Sequence, residues 1–437
     1  MTRPRRQLGF LTVALSFGVA LAAFAVLGRS PSGAATRPSD QGVGALTAGQ
    51  TTPQRIAVLQ RTIRTHRSDP DLWAALGLAY YQRVRETGDP GFYGRADRVL
   101  RTAAALDRRN PAARVGQATI ALARHDFRGG LRDARLALAL APRAVEAYPA
   151  LVDALVELGR YGQAAHAIQR FIDLKPNLAS YARVSYFREL HGDLDGAVQA
   201  MGYAVSAGGE APENVAYVQS LLGDLEFVRG RAGAAASAYR RALSKVAGYP
   251  PAEVGLAQVE SARGRLGAAA RRLRDVVARL PLPQYIVALG ETELAAGRPA
   301  AARRDLQLVG AEERLLRANG VNTDVDLALF EANHGSPSRA VRLGRRAWAQ
   351  APSVRSADAL GWALTAAGRP RAGWGWARRA LRLGSRDPSF LYHAGMSARD
   401  AGDRGTARAL LRRTLSLNPR FSPLYAPRAA RALRGLG

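Results

Sequence analysis

Histidine and carboxylate side chains could bind a metal or transfer protons, but their spacing in this chain does not assemble a catalytic centre. No two of the six histidines have the i, i+4 spacing by which one helix presents a pair of metal ligands. The densest group of metal-binding side chains is His191, Asp193 and Asp195. Because a metal site needs three or four converging ligands, we favour turn capping for this group, with a weak divalent-ion site as the alternative.

A cysteine nucleophile and the sequence motifs of nucleophilic serines and phosphate-binding loops are also missing from the sequence. The chain has no cysteine, which excludes disulfides, thiolate metal sites and a cysteine nucleophile. It contains neither a Walker motif nor a G-x-S-x-G nucleophile elbow. The closely spaced Trp374 and Trp376 could form a ligand platform, but packing between neighbouring repeats is the favoured interpretation. We therefore predict a protein that is not an enzyme and that has no metal or cofactor.

The positive charge of the chain points to an anionic neighbour. The formal net charge over 437 residues is +28, and pairs of adjacent arginines recur at 240–241, 345–346, 378–379 and 412–413. Such a charge attracts nucleic acid, acidic lipid or a polyanionic polymer. Nucleic acid is the least favoured partner, because the basic positions lack interleaved aromatic residues for base stacking. A basic stripe for anionic lipid or polymer and a solvated face that keeps the protein soluble are the two interpretations of the arginine pairs.

The N-terminus has the pattern of a membrane anchor. Residues 1–7 are basic, residues 8–28 carry no charge, and residues 29–52 are rich in Ser, Gly, Ala, Thr and Pro. About 20 apolar residues span a bilayer as a helix, so we predict a transmembrane signal anchor at 8–28 followed by a flexible linker. The bulk of the chain is expected outside the cytoplasm, because long following domains are translocated. The alternative is a secreted protein whose signal peptide is cleaved near Ala23-Phe24-Ala25.

The rest of the chain repeats with a period of about 34 residues. The marker is a glycine that follows an apolar or alanine-rich helical segment and recurs every 33 to 38 residues. These glycines are Gly159, Gly192, Gly230, Gly264, Gly297, Gly335, Gly368 and Gly402. Each repeat is typical of two amphipathic helices, with the glycine in the left-handed position that ends the first helix. Small residues also recur at equivalent positions of both helices, where they let the backbones approach closely.

These repeats resemble the tetratricopeptide repeat (TPR) family. The best match to its signature is Trp73, Leu76, Gly77 and Tyr80, followed by Ala96, Leu100, Ala103 and Pro111. The resemblance implies an all-α fold, a right-handed α-solenoid of about ten helix-turn-helix units. The transmembrane helix predicted at 8–28 precedes this solenoid. We place the solenoid at 53–419, with a capping helix at 54–66, the first unit near residue 70 and a C-terminal capping helix at 420–437. The seventh unit departs from the pattern after Val309.

The resemblance also implies a concave groove lined by the first helices of the units. The residues projected onto its wall are Asp153, Tyr186, Glu189, Tyr217, Asp224, Phe227, Gln258, Glu291, Asp358, Trp362, Tyr392 and Met396. This wall is acidic and aromatic, and it lacks the Lys, Asn and Arg set with which chaperone-binding TPR proteins hold a C-terminal carboxylate. We therefore predict binding of a basic or amine-bearing protein segment. The alternative is that these carboxylates only pair with neighbouring arginines.

The sequence thus predicts a membrane-anchored TPR scaffold that binds proteins or peptides through its concave groove outside the cytoplasm. Among the carboxylates of the wall, Asp224, Glu291 and Asp358 are expected to contribute to ligand binding. The alternative function is an envelope binder of polyanions or anionic lipids that uses the arginines of a convex face formed by the second helices.

Overall fold

The computed structural model describes residues 46, 47, 49–209 and 211–437. The predicted signal anchor at 8–28, the basic segment before it and most of the predicted linker lie outside the described residues. Within the described ranges, no helix is both long and apolar enough to cross a bilayer.

The described chain consists of α-helices joined by short turns, and most consecutive helices form antiparallel pairs. Helix α1 (Thr52–Thr65) precedes the pairs. They are α2 (Pro70–Thr87) with α3 (Gly91–Leu106), α4 (Pro111–Ala123) with α5 (Phe127–Leu140), α6 (Tyr148–Glu157) with α7 (Tyr161–Leu174), α8 (Leu178–Leu190) with α9 (Leu194–Ala207), α10 (Pro212–Val228) with α11 (Ala232–Lys245), α12 (Pro250–Ala262) with α13 (Leu266–Arg279) and α14 (Pro283–Ala295) with α15 (Pro299–Gln307). After the additional helix α16 (Val309–Ala318) come α17 (Asp324–His334) with α18 (Pro337–Gln350), α19 (Val354–Ala366) with α20 (Pro370–Ala380), α21 (Pro388–Asp400) with α22 (Arg404–Leu417), and finally α23 (Tyr425–Arg434).

The turn inside each pair follows from a few residue types. Seven of the eight predicted turn glycines have positive φ, a conformation that costs glycine little. Gly335 differs, with φ of −125°, and His125 takes the left-handed position of the second pair with φ of 60°. An aspartate after the turn then caps the second helix of several pairs, as Asp126 and Asp403 do by accepting backbone N–H hydrogen bonds.

Small residues bring the two helices of a pair together, as their spacing predicts. The clearest case is the contact between α19 and α20. A Cβ atom added at Gly361 would lie 3.0 Å from the backbone oxygen of Gly373 and 3.0 Å from the backbone nitrogen of Ala377. The backbones therefore touch at this point, and a larger side chain has no room there.

The described residues fall into two compact units. The large unit comprises Val184–Glu313 and Thr323–Gly437. The small unit contains the described residues up to Arg183 together with Arg314–Asn322. One boundary lies in α16, the additional helix of the seventh pair, where the repeat pattern departs after Val309. The other boundary, between Arg183 and Val184, lies within α8.

Inside the large unit, segments about 190 residues apart in sequence come into contact. The side-chain amide of Asn418 donates a hydrogen bond of 2.6 Å to the backbone oxygen of Phe227. Gly192 packs against the backbone oxygen of Gly384 so closely that a Cβ atom would not fit. The repeat pairs of this unit therefore curve until later pairs touch earlier ones, which encloses the side chains that point inward.

Candidate functional site

The twelve predicted groove residues all lie on first helices, and none of them is exposed. Eight are buried, namely Asp153, Tyr186, Tyr217, Phe227, Glu291, Asp358, Trp362 and Tyr392. The other four, Glu189, Asp224, Gln258 and Met396, are half-buried. The sequence predicts a wall open to a ligand. In the large unit, residues near the C-terminus contact three of the twelve, namely Phe227, Glu291 and Tyr392.

Asp153 is the one predicted groove residue in the small unit, and it forms a buried ion pair. Its carboxylate lies 2.7 Å from Nη2 of Arg183, and the exposed fractions of the two side chains are 4% and 0%. The guanidinium also donates to the backbone oxygens of Ala179 and Pro149. All these contacts are internal, as the arginine-pairing alternative expects, so Asp153 holds α6 and α8 together.

Glu291 is held by two side chains from other helices of the large unit. The hydroxyl of Tyr425 donates a hydrogen bond of 3.0 Å to Oε1 of Glu291, and Nε2 of His334 lies 3.1 Å from the same oxygen. Burial raises the pKa of the Glu291 carboxyl, and both partners oppose the rise. Tyr425 and His334 thus contact a carboxylate that is predicted to bind ligand. The repeat pattern does not indicate either contact.

Asp358 belongs to a second buried group on α19 and α21. Its carboxylate lies 2.9 Å from Nδ1 of His393, and the imidazole stacks on the indole of Trp362 at a centroid distance of 4.6 Å. The indole N–H in turn donates to the side-chain oxygen of Asn333 at 2.8 Å. Nε2 of His393 is buried and has no hydrogen-bond partner among the described residues.

Glu189 and Asp224 are the two groove carboxylates without an ion pair in the described residues. Burial, followed by the charges of Asp387 and Asp224, raises the pKa of Glu189 to about 8, and Arg355 opposes the rise. Oε2 of Glu189 is buried and receives no hydrogen bond from the part of the chain that the structure describes. Burial raises the pKa of Asp224 to about 7, although the hydroxyl of Tyr239 donates to it at 2.7 Å. A nearby cation would therefore favour the ionised form of both carboxyls.

Asp387 joins this acidic group from a distant part of the chain. Burial and the charge of Asp358 raise its pKa, while backbone N–H groups at the start of α21 lower it. The contact between Gly192 and Gly384 brings the end of α8 beside the segment that precedes α21. We call Glu189, Asp224 and Asp387 the acidic cluster. Sequence reasoning missed Asp387, because an aspartate before a proline is read as a helix cap and the curvature that brings it to Glu189 leaves no local signal.

The predicted His191 group forms no metal site in the described part of the structure. Nδ1 of His191 lies 2.8 Å from the backbone oxygen of Phe187. Asp193 caps α9 by accepting from the backbone N–H of Gly196, and Asp195 contacts Arg229. In the described ranges no three histidine or carboxylate side chains are arranged to hold a metal. Asp193 is a cap, as the turn-capping interpretation expects, whereas His191 bonds within its own helical turn and Asp195 contacts an arginine of the next pair.

The tryptophans of α20 pack against a neighbouring pair. Trp376 meets Trp348 of α18 edge to face at a centroid distance of 4.7 Å, and the guanidinium of Arg379 lies 4.6 Å from the Trp376 ring. Both Trp374 and Trp376 are half-buried against the core of the large unit. Trp376 therefore joins adjacent second helices, as the packing interpretation expects, and Trp374 packs on the same core.

The four arginine pairs lie on second helices, and all eight of these arginines are exposed. Some of the charge is neutralised locally, since Arg346 contacts both carboxylate oxygens of Asp324 at 2.7 and 3.1 Å. Arg241 donates to the uncharged amide of Gln219 instead. The second helices thus present a net positive surface to solvent.

Comparison with solved structures finds neighbours of limited similarity. The TPR protein TTC0263 from Thermus thermophilus is 21% identical, with a TM-score of 0.36 over 40% of this chain and 91% of that chain. MamA protein is 17% identical, with a TM-score of 0.30 over 39% of this chain and 91% of that chain. Comparison with protein-family profiles finds no match, and neither does comparison with curated proteins. The array of antiparallel helix pairs described above has the helical-repeat architecture that the resemblance to the TPR family predicts.

Proposed function

We propose that this chain is a non-enzymatic scaffold that binds a basic protein segment at the acidic cluster of the large unit. The proposal rests on the environment of the Glu189 carboxylate. One of its carboxylate oxygens is buried without a hydrogen-bond partner in the described ranges, and burial raises its pKa to about 8. Leaving such a group in a fold costs free energy, and an arriving ammonium or guanidinium group would supply the missing partner.

The choice between a basic and an acidic ligand follows from the charges around the cluster. Asp224 and Asp387 raise the pKa of Glu189 further through their own charge, so an anionic segment would be repelled. Tyr217 is among the residues projected onto the same wall, and aromatic side chains are common anchors for bound peptides. The favoured ligand therefore carries a lysine, an arginine or a free amine beside an apolar side chain.

We further propose that residues 8–28 anchor the chain in the cell membrane and that the scaffold works outside the cytoplasm. The support is the uncharged run of residues 8–28 with basic residues before it and a Ser- and Gly-rich segment after it. Cleavage near Ala23-Phe24-Ala25 would instead release the scaffold as a secreted protein.

The ligand proposal is tested with synthetic peptides of matched length that differ only in charge, carrying either arginine or its neutral analogue citrulline. The proteins are the part of the chain from residue 45 onward, its Glu189→Gln, Asp224→Asn double variant, and a Glu260→Gln control whose carboxylate already pairs with Arg272 at 3.0 Å. Binding of the arginine peptides should fall at least about tenfold in the double variant, since charge-assisted hydrogen bonds contribute about 1.5–3 kcal/mol each. It should be unchanged in the control. The proposal would be refuted if arginine and citrulline peptides bound with equal affinity and the double variant bound them as tightly as the wild type.

The second candidate function is binding of anionic lipid or polymer by the second helices, and it is favoured by the exposure of all four arginine pairs. Cosedimentation with phosphatidylglycerol vesicles, compared with phosphatidylcholine vesicles, tests it. Binding that disappears at high salt and in an Arg412→Gln, Arg413→Gln variant would support this function. Equal binding to both kinds of vesicle would exclude it.

A further inference from the structure

The C-terminal residues of the chain contact the predicted groove wall of the large unit. Asn418, which follows α22, donates its side-chain amide to the backbone oxygen of Phe227, 191 residues earlier. Tyr425, the first residue of α23, donates its hydroxyl to Glu291, 134 residues earlier. Its ring also lies 5.4 Å from that of Tyr392. Three residues predicted to contact a ligand are thus contacted by the end of the chain itself.

These contacts exceed what an end cap requires. A cap needs only to cover the last pair, and the buried alanines Ala426, Ala429 and Ala432 on α23 already provide the apolar face for this. The bonds to Phe227 and Glu291 reach α10 and α14, which belong to much earlier pairs. These two hydrogen bonds lie on the inner side of the large unit. The apolar face of α23 still packs on the last pair.

The chemistry of this segment matches the ligand that the wall is expected to select. Residues 404–437 contain eight arginines and no acidic residue. Arg428 lies close enough to Glu291 for its charge to oppose the rise in the pKa of that carboxyl. The segment therefore offers a phenol, an amide and a guanidinium to a wall of carboxylates and aromatic rings.

We propose that residues 417–434, which we call the C-terminal clasp, are an internal ligand of the groove, displaced by a partner segment that carries an aromatic hydroxyl and a guanidinium. This inference rests on the proposed scaffold function and adds its regulation. While the clasp is closed, the apparent affinity for the partner is reduced by the fraction of molecules in which it is open.

The test uses a fluorescent synthetic peptide of residues 417–437 as the probe and the whole chain as the protein. The loosened protein carries Asn418→Ala and Tyr425→Phe, which remove the two hydrogen bonds and keep the ring of residue 425. The matched control is Tyr249→Phe, because the hydroxyl of Tyr249 donates to Glu213 at the same distance of 3.0 Å but within neighbouring pairs. Each lost bond should raise the affinity for the probe about fivefold, and both together about twentyfold.

Rates of amide hydrogen exchange in the same samples distinguish a displaceable clasp from a fixed end cap. The proposal expects the amides of α23 to exchange faster in the loosened protein, while those of α22 stay as protected as in the wild type. Should the loosened protein fail to fold, Arg428→Gln replaces it, with the same expectations. The proposal is overturned when the probe binds wild type, control and loosened protein equally, or when α23 and α22 lose protection together.

These experiments can refute the clasp proposal without refuting the scaffold proposal, and the reverse. Arginine peptides that bind through Glu189 and Asp224 while the probe shows no preference for the loosened protein would leave the scaffold intact and remove the clasp. Probe binding to the loosened protein that is unaffected by Glu189→Gln and Asp224→Asn would keep the clasp and place its contacts away from the acidic cluster.

Discussion

Replacing Glu189 by glutamine should stabilise the protein, and the gain should grow with pH. The pKa of this carboxyl rises from 4.5 to about 8 in the fold, chiefly through burial. Between these two values the unfolded chain loses its proton while the folded chain keeps it. Stability therefore falls as the pH rises through this interval, and the contribution of Glu189 is flat below pH 4.5 and above pH 8.

The size of the effect follows from the same interval. Each pH unit within it costs about 1.4 kcal/mol, so Glu189 destabilises the fold by about 1 kcal/mol at pH 5.5 and by at most about 5 kcal/mol at pH 9. The amide of the Glu189→Gln variant is neutral at every pH. The difference in stability between variant and wild type should thus increase several-fold from about pH 5.5 to about pH 9.

Urea unfolding followed by circular dichroism at about pH 5.5, 7 and 9 measures this difference, with the midpoint compared because a repeat array need not unfold in two states. The control is Glu260→Gln, whose carboxylate is paired with Arg272; it should lose about 1 kcal/mol or less at each pH. A Glu189→Gln variant that is less stable than wild type at the highest pH, or an advantage that does not change with pH, would refute the reasoning.

Three further predictions concern packing, pairing and the membrane. Gly361→Val should lower the free energy of unfolding by about 1–3 kcal/mol through overpacking of α19 on α20, whereas Gly375→Val, where no atom lies within 4 Å of an added Cβ, should lose less; thermal denaturation compares the two. Arg183→Met should cost about 3–5 kcal/mol, because it leaves the carboxylate of Asp153 buried and unpaired; urea unfolding at neutral pH measures the loss, and full recovery in a double variant with Asp153→Leu would assign it to the unpaired charge. The full chain should stay in the membrane fraction after carbonate extraction, and a chain lacking residues 1–28 should not, a result that only an uncleaved anchor explains.

The pairing of helices could be predicted from the sequence because it depends on local spacing. Glycine at the turn, small residues such as Gly361 and Gly373 where backbones touch, and apolar residues elsewhere repeat within each unit. These features act between helices that are neighbours in sequence, so a single period contains the information. The exceptions are local too, since His125 replaces the turn glycine of the second pair and accepts the left-handed conformation.

The contents of the site could be predicted only in part, because the site depends on curvature. The first-helix positions are correct as places on the inner side, yet the partners of Glu291 and Asp358 are a tyrosine and two histidines from elsewhere in the large unit. The curvature is the sum of small rotations between successive pairs. The residues of a single repeat do not determine this sum. Asp387 and Tyr425 were therefore missed as neighbours of the predicted carboxylates.

The distribution of stability argues for a role of the acidic cluster beyond folding. Glu291 and Asp358 have internal partners, and their contacts suffice to join helices. Glu189 and Asp224 lack an ion pair within the described ranges, and burial raises the pKa of both into the range of neutral pH. The hydroxyl of Tyr239 and the charge of Arg355 offset only part of this cost, and local costs that a fold retains are typical of functional sites. If a basic segment binds there, it must favour the ionised carboxyls and release protons, so its affinity should rise from about pH 6 to about pH 8 and level off above. Titrations of one arginine peptide at several pH values measure this, and an affinity that falls with rising pH in that range would contradict binding at the cluster.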